Sequence, residues 1–438
     1  MNDFNINIFL NNLLKSKNRQ GEFSHAPDKI DNIFLDFDDI VPFLIFFDQA
    51  DEIKKQIDLS RPYLFRGFVP LKNTLYSYRM DEYLGGVIEY YKKTNDASVE
   101  DIITEQKKLL HSMLDLGYIP AYINTTRNAF SRTCFSRGYN LIEVILENEI
   151  LSIDLKKKAL RVLDNMLFKN RYFDNNKLFL NKYIYYFSNL WGYRLMLPRQ
   201  LNFLGDSSTY FDINSNKGKI IKIIMGIIPL SNIQAMKDNS NLIYSVIEAY
   251  KVTGDTKYKK IVSLFIDGVI EKMYDARGFI HTTYSDTYTT NDVSLAQNFT
   301  FLDILMDYCR FIENDKEYIK LAKRMADFWI ESKWDNHSIP ENPFTNNFAF
   351  IDCQTDFSIS LKKLSQLAGD DQYSKEGKLI FDAITNNFSL GGLLGSKINQ
   401  YGVIIDTTIN FKYNALFLKA YIAHNYNMDI FNSIFKDR

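Results

Sequence analysis

The stretch Thr253-Gly254-Asp255-Thr256-Lys257-Tyr258 decides the fold because its pattern recurs along the chain. Each copy has Gly or Asn, then Asp, often with Tyr three residues after the Asp. Two further copies are Glu313-Asn314-Asp315-Lys316-Glu317-Tyr318 and Ala368-Gly369-Asp370-Asp371-Gln372-Tyr373. Gly254, Asn314 and Gly369 are 60 and 55 residues apart, and Asn95 lies 159 residues before Gly254. Self-similarity at this period predicts a repeated supersecondary unit.

The chemistry of these turns indicates a helical hairpin. Gly or Asn after a helix favours the left-handed conformation that closes its last turn. The Asp that follows can cap the next helix, and we expect the Tyr in that helix to pack on the first one. A short turn of this kind joins two antiparallel helices. One hairpin cannot bury its apolar face alone, so neighbouring hairpins must stack.

The segments between the turns have apolar residues at helical spacing. Segments 240–252, 297–312, 356–367 and 410–424 are apolar around much of their circumference, which is typical of buried inner helices. Segments 257–274, 315–332 and 372–387 have a narrower apolar stripe, as outer helices do. The alternation favours an all-α toroid, with an open array of hairpins as the alternative. We expect an N-terminal helical segment, 1–75, that packs on a toroid domain, 76–438.

Composition and motifs exclude several classes of function. A net charge of −1 over 438 residues gives no reason to expect nucleic-acid binding. No apolar run reaches the roughly 18–20 residues of a membrane-spanning helix, and the start of the chain lacks a convincing signal peptide. We therefore expect a soluble, cytoplasmic protein. Cys134, Cys309 and Cys353 lack metal-ligand or CxxC spacing, so we expect no metal site or disulfide. Phosphate-loop, dinucleotide, GxSxG and HExxH motifs are missing, and we expect no cofactor.

Two segments stand outside the repeat. Asp36, Asp38 and Asp39 form an acidic cluster that is either a metal site or the ordinary acidic start of a helix, and the second interpretation is favoured. Segment 180–218 is rich in Tyr, Asn and Arg and breaks the period. We interpret it as an inserted loop over one mouth of the ring.

Long loops connect each outer helix to the next inner helix. They begin with similar residues, as in Leu116-Gly117-Tyr118-Ile119-Pro120, Arg277-Gly278-Phe279-Ile280-His281, His337-Ser338-Ile339-Pro340 and Gly391-Gly392-Leu393-Leu394. Loops of this length in a compact domain are usually functional. In a closed ring they open on one face, so the polar residues at the start of each inner helix should converge on a central cleft.

In this arrangement the chain resembles the six-hairpin, or (α/α)6-barrel, carbohydrate-active enzymes. The resemblance covers the architecture of about residues 75–430 and includes no catalytic signature. It implies an (α/α)6 toroid with short β-strands in the cleft loops. That superfamily contains glycoside hydrolases, polysaccharide lyases and sugar epimerases, so the resemblance implies a saccharide substrate without choosing the reaction.

Carboxylates are the first catalytic candidates. We expect Asp356 and Asp406 to open two consecutive inner helices, with Asp81 at the start of another. Glycoside hydrolysis needs two such groups, one that protonates the leaving oxygen and one that activates water or attacks the sugar. The same residues are also good helix caps. Arg79 and Glu82 flank Asp81 at the same helix start.

Other candidates suit different chemistry. His281 and Tyr284 are acid–base groups for a lyase or epimerase. Arg127, Arg132 and Arg137 in one loop are candidates for binding a sugar carboxylate. Hydrogen bonds to sugar hydroxyls are assigned to Gln297, Asn298, Gln354, Asn410, Lys412 and Tyr413, and Arg79 is a further candidate for substrate binding. The favoured function is cleavage of an oligo- or polysaccharide, with an acidic one as an option, by a carboxylate pair. The alternatives are lyase or epimerase chemistry, and a non-catalytic module that binds a glycan or protein within a glycan-assembly complex.

Overall fold

The fold is known from a computed structural model. It describes residues 4–23, 36–131, 136–169, 235–282, 284–285, 288–289, 293–345, 348–432 and 435. The inserted loop predicted at 180–218 lies outside these residues, as do Arg132 and Cys134. Cys309 and Cys353 are buried and carry free thiols. None of the helices in the described ranges is both long enough and apolar enough to cross a membrane.

Fourteen α-helices lie in the described part of the chain. Their bounds are α1 Ile6–Lys15, α2 Val41–Phe46, α3 Ala50–Ser60, α4 Met80–Thr94, α5 Glu100–Leu114, α6 Asn140–Glu147, α7 Ile153–Asp164, α8 Ala235–Thr253, α9 Thr256–Lys272, α10 Leu295–Phe311, α11 Lys316–Glu331, α12 Ile351–Ala368, α13 Asp371–Asn387 and α14 Phe411–Asn425.

The helices form an (α/α)6 toroid. The inner helices α4, α6, α8, α10, α12 and α14 pack side by side in that order, and the five helices α5, α7, α9, α11 and α13 lie outside them. The short α2 lies between α14 and α4 and contacts both. α1 packs on α14, where the ring of Phe9 lies 5.1 Å from that of Phe417. The N-terminal segment therefore sits at the place where the last inner helix meets the first, although the domain boundary at residue 75 stays a prediction.

The predicted turn chemistry is confirmed at most positions. Gly254, Gly369 and Asn95 have positive φ angles of 66°, 64° and 50°. Asp255 and Asp370 each cap the helix that follows by accepting a backbone N–H bond. Asn314 is an exception, because it lacks a positive φ angle and α10 ends without a left-handed residue.

The repeated tyrosines have a different role from the one predicted. Each donates its hydroxyl to an Asp of the preceding outer helix instead of packing only on its own hairpin. The pairs are Tyr258 with Asp164, Tyr318 with Asp267 and Tyr373 with Asp327, at 2.7–2.9 Å. The repeated Tyr thus joins consecutive outer helices around the ring.

Short antiparallel strands lie in the connecting loops, as expected. They are β1 Thr74–Tyr76, β2 Tyr122–Asn124, β3 Ala129–Phe130, β4 Tyr274–Asp275, β5 Phe279–Ile280, β6 Tyr284–Ser285, β7 Tyr288–Thr289, β8 Phe348–Phe350, β9 Ser389–Leu390, β10 Leu393–Leu394, β11 Lys397–Asn399 and β12 Ile404–Asp406. Two sheets have three strands, in the orders β1-β2-β3 and β12-β11-β8. The others described are the hairpins β4-β5, β6-β7 and β9-β10.

Amide side chains on the inner helices fix these loops. Asn298 accepts a hydrogen bond from the backbone N–H of Ile280 at 2.8 Å and donates one to its carbonyl at 3.0 Å. The same two bonds join Gln354 to Ile339 and Asn414 to Leu394. Each clamp satisfies a buried backbone segment that would otherwise lack partners. The loop starts that look alike in the sequence are therefore alike because they dock in the same way.

Asp356 and Asp406 do not open inner helices as predicted, although the predicted segment 410–424 matches α14. α12 begins at Ile351, directly after β8, so Asp356 lies in its second turn instead of opening it. α14 begins at Phe411 with Asn410 as its cap. Asp406 ends β12 and accepts a hydrogen bond from the backbone N–H of Thr408 at 3.0 Å. It thus caps a turn that precedes the helix.

Candidate functional site

A cavity of about 300 Å³ lies between the N-terminal parts of five inner helices. The helices are α4, α8, α10, α12 and α14, and the segment before α2 completes the wall. The lining residues are Asp36, Asp39, Arg79, Glu82, Ser240, Asn241, Tyr244, Ala296, Phe299, Thr300, Asp352, Cys353, Asp356, Asn410, Lys412, Tyr413, Leu416 and Lys419. The lining is mostly polar, with a few aromatic and aliphatic side chains. This composition suits a hydroxyl-rich ligand.

Five charged groups form a network along one wall. Arg79 Nη1 lies 2.8 Å from Glu82 Oε2 and 3.2 Å from Asp36 Oδ1. Lys412 Nζ lies 2.9 Å from the same Asp36 oxygen and 2.7 Å from Asp39 Oδ2. Asp36 is thus shared between cations from the first and last inner helices, and its side chain is only 3% exposed. Ion pairs between buried groups of this kind are costly to break from one side.

The network sets the protonation of its members. Burial raises the pKa of Glu82 to about 8; Asp36 adds to the effect, and Arg79 opposes it. Burial acts to lower the pKa of Lys412, but the carboxylates of Asp39, Asp36 and Glu82 outweigh it and hold that pKa well above its usual value. Near neutral pH, Glu82 is therefore a carboxylic acid beside a permanently charged lysine.

Asp356 has the opposite environment on the facing wall. Its Oδ1 accepts a hydrogen bond from Lys419 Nζ at 3.2 Å, and the side chains are 12% and 4% exposed. A buried ammonium group stabilises the ionised form of a neighbouring carboxylate. The same cavity thus holds one carboxyl group whose pKa is raised by burial and another that is paired with a buried lysine.

A second polar layer lies deeper between α10 and α12. Ser360 donates to Asp303 at 2.8 Å. Lys363 lies 3.3 Å from Asp303 and 3.6 Å from Asp307, and these side chains are at most 5% exposed. The layer is one turn or more below Thr300 and Asp356 on the same helices. It fixes the relative positions of the two helices that carry part of the cavity wall.

The acidic segment before α2 is docked tightly on α4. The backbone N–H of Asp38 donates to the carbonyl of Glu82 at 3.0 Å, and the rings of Phe37 and Tyr83 stack at 5.3 Å. A Cβ atom added to Gly86 would lie 2.3 Å from Phe37 Cβ, so only glycine permits this approach. The segment that the sequence analysis treated as a helix start is therefore part of the cavity.

The structure separates the predicted carboxylates. Asp356 lines the cavity, whereas Asp81 and Asp406 are not among its lining residues. Asp81 is buried in the first turn of α4, and its neighbour Glu82 faces the cavity instead. Asp406 lies at the end of β12. Asp356 shares the cavity with Asp36, Asp39, Glu82 and Asp352.

The alternative acid–base residues lie elsewhere. His281 follows β5, and its Nε2 is 3.7 Å from Asp275 Oδ2. The imidazole helps, after Arg277, to lower the pKa of Asp275 to about 2. Tyr284 lies in β6. His281 is not among the described residues that line the cavity.

The predicted binding residues divide into two groups. Arg79, Asn410, Lys412 and Tyr413 line the cavity, and burial raises the pKa of Tyr413 to about 12. Arg127 is exposed between β2 and β3, and Arg137 lies in the turn before α6. Gln297, Asn298 and Gln354 are buried outside the cavity lining, and the latter two hold loop backbone as described above.

Sequence reasoning missed several lining residues. Lys419 lies two turns inside α14, and Thr300 lies one turn inside α10. Both were missed because candidate residues were sought at the helix starts. Asp36 and Asp39 were noticed, but nothing local to them reveals partners 43 and 376 residues away. Among the described residues, no group of three or more His, Cys, Asp or Glu side chains is arranged to hold a metal ion.

No family model matches the sequence, and no curated protein sequence matches it. Solved structures do share its fold. D-mannose isomerase is 12% identical and aligns over 81% of this chain and 87% of its own, with a TM-score of 0.54. Cellobiose 2-epimerase from Bacillus thermoamylovorans B4167 is 12% identical over 81% and 89%, with a TM-score of 0.55. Unsaturated glucuronyl hydrolase from Streptococcus agalactiae is 11% identical over 92% and 97%, with a TM-score of 0.52. The chain thus has the fold of the (α/α)6-barrel carbohydrate-active enzymes, and the predicted architecture is confirmed.

Proposed function

We propose that this protein is a carbohydrate-active enzyme that hydrolyses a glycosidic bond in the cavity between its inner helices. Glu82 is the general acid, and Asp356 is the base or nucleophile. The observation that carries the proposal is the presence of two carboxyl groups with opposed environments in one polar cavity. A pair of titratable groups whose surroundings separate their pKa values is the arrangement that acid–base division requires.

The chemistry follows from these environments. Glu82, kept protonated by burial, donates its proton to the glycosidic oxygen as the bond to the anomeric carbon breaks. Asp356, which is paired with Lys419, either removes a proton from the attacking water or attacks the anomeric carbon itself. The ionised carboxylate also stabilises the positive charge that develops on the sugar ring. Asn241, Asn410 and Thr300 offer hydrogen bonds to hydroxyl groups.

The fold supports a saccharide substrate, because the isomerase, the epimerase and the hydrolase that share it all act on sugars according to their names. The fold alone does not select the reaction. Epimerase or lyase chemistry by His281 has weaker support, since His281 is not among the described residues that line the cavity.

The test is a mass-spectrometric screen of products from neutral and acidic oligosaccharides. We expect products that together have gained one water. Glu82→Gln and Asp356→Asn should each lower kcat by about 10²–10⁴-fold, the usual contribution of a positioned acid or base. Asp81→Asn is the matched control, because Asp81 neighbours Glu82 in sequence but does not line the cavity.

Other outcomes would replace the proposal. Products with an unsaturated sugar indicate a lyase, and isomeric products of unchanged mass indicate an epimerase or isomerase. Saccharide binding without turnover across the panel indicates a non-catalytic glycan-binding module. Equal losses in the Asp81→Asn control and the two site variants would show that the effect is structural.

A further inference from the structure

The three cations that line the described cavity are all engaged by carboxylates of the same chain. Arg79 contacts Glu82 and Asp36, Lys412 contacts Asp36 and Asp39, and Lys419 contacts Asp356, all within 3.2 Å. A sugar carboxylate is normally bound by a cation that directs its hydrogen bonds to the ligand. In this cavity, carboxyl groups of the protein already occupy the hydrogen-bonding positions on the three cations.

The charge balance of the lining points the same way. Among the residues that the structure describes, it contains five acidic ones, Asp36, Asp39, Glu82, Asp352 and Asp356, and three basic ones, Arg79, Lys412 and Lys419. The formal balance of these eight residues is −2, or −1 with Glu82 protonated. An anionic ligand entering this cavity would meet like charge in a poorly solvated space, which is an effective way to reject a competing ligand.

The acidic segment cannot easily move aside. Its backbone is bonded to α4 through Asp38, Phe37 stacks on Tyr83, and Gly86 permits the close contact. Asp36 is almost fully buried, and Asp39 is 13% exposed. The carboxylates therefore stay on Arg79 and Lys412 when a ligand enters. Asp39 and Lys412, which both line the cavity, can also form hydrogen bonds to sugar hydroxyls.

We propose that Asp36 and Asp39 set the substrate class. They occupy the places on Arg79 and Lys412 that a sugar carboxylate would take, so the cavity accepts a neutral, hydroxyl-rich saccharide and rejects a uronate. The inference rests on the proposed function, and it decides between the neutral and acidic substrates that the sequence left open. Arg127, one of the arginines expected to bind an acidic sugar, is exposed in a turn away from the cavity lining.

Isothermal titration calorimetry with cellobiose and cellobiouronic acid tests this substrate preference. The acid has a carboxylate where cellobiose has one of its hydroxymethyl groups, and the two sugars are otherwise the same. We expect the native protein to bind cellobiose at least about tenfold more tightly, because the acidic lining repels the carboxylate of the uronic acid. Asp39→Asn should reduce the ratio of the two affinities by about tenfold, mainly because the variant binds cellobiouronic acid more tightly. Asp58→Asn is the control, since it makes the same charge change on α3, outside the cavity lining.

Equal or tighter binding of the acid by the native protein would overturn the inference, as would an unchanged ratio in a folded Asp39→Asn protein. If the variant does not fold, added salt gives a second measurement on the native protein. It should strengthen binding of the acid relative to cellobiose, because salt screens repulsion; weaker binding would overturn the inference. If the protein binds cellobiose more tightly than the acid but hydrolyses no saccharide, the proposed reaction is wrong and the inferred substrate class is supported. Binding of neither sugar, nor of any other neutral saccharide, would remove both.

Discussion

At the scale of single residues, function depends on what surrounds each carboxyl group. Glu82 and Asp81 are adjacent in sequence, and both lie in the first turn of α4. Only Glu82 faces the cavity. It lies among Arg79, Asp36 and Lys412, and burial raises its pKa, whereas Asp356 is paired with Lys419.

This difference predicts the pH dependence of activity. A general acid must be protonated to act, and the pKa of Glu82 is raised to about 8. We therefore expect kcat/KM to fall as pH rises through about 8, by about tenfold per pH unit beyond it. A pH profile with a neutral substrate measures this. The residual activity of Glu82→Gln should no longer fall above about pH 8. If the same fall persists in this variant, another group causes it.

The place of a charged residue in the cavity could be predicted from sequence only where its ion-pair partner is close in the chain. Arg79 was chosen from its place at a helix start, and its contact with Glu82 is three residues away. Asp36 also stands at a predicted helix start, but its ion-pair partners, Arg79 and Lys412, come from the first and last inner helices. The ordinary interpretation of an acidic helix start was reasonable locally. Only closure of the ring brings α14 next to the segment, and no local pattern contains that.

At the scale of elements, the amide clamps connect each loop to the helix that follows it. Asn298 makes three backbone hydrogen bonds, two to Ile280 and one to the carbonyl of Ser294. These bonds hold β5 against the start of α10, which carries Phe299 and Thr300 into the cavity. The clamp therefore links the fold of a loop to the shape of the site.

Removal of this clamp should cost stability. Asn298→Ala leaves the buried N–H and carbonyl of Ile280 without these partners, and each such group costs about 1–3 kcal/mol. We expect the free energy of unfolding, measured with urea, to fall by about 2–4 kcal/mol. Asn425→Ala is the control, because that exposed side chain makes one bond to the carbonyl of Tyr421. A loss in Asn298→Ala no larger than in the control would show that the clamp is replaceable.

Element boundaries show what sequence can specify. Gly254 and Gly369 located their turns because glycine is suited to a positive φ angle, a property of one residue. The start of α12 was misplaced by five residues, since Asp356 is a good cap on its own. The true start follows β8, and it lacks a side-chain cap. Pairing of β8 with β11 fixes it, and that contact joins residues about 50 apart.

At the scale of the whole molecule, the two ends of the chain close the ring together. Phe23 stacks on Phe411 at 3.9 Å, and Phe4 and Phe9 pack on Phe417. α2 lies between α14 and α4, and the segment before it supplies Asp36 and Asp39 to the cavity. The N-terminal residues therefore cover the last inner helix and complete the site. This favours one cooperative unit over a toroid with a separable attachment.

Truncation tests that expectation. The fragment 76–438 lacks α1, α2 and α3, so Phe411 loses the ring of Phe23 and Phe417 loses those of Phe4 and Phe9. Arg79 and Lys412 also lose Asp36. Exposure of each large core side chain costs about 1.5–3 kcal/mol, so the total approaches the 5–15 kcal/mol stability of a whole protein. We expect the fragment to lack a cooperative thermal transition by circular dichroism and to bind no cellobiose. A deletion of residues 1–3 alone is the control and should leave both unchanged. A fragment that melts sharply near the temperature of the full chain would show that residues 76–438 fold independently, and retained cellobiose binding would remove Asp36 and Asp39 from the site.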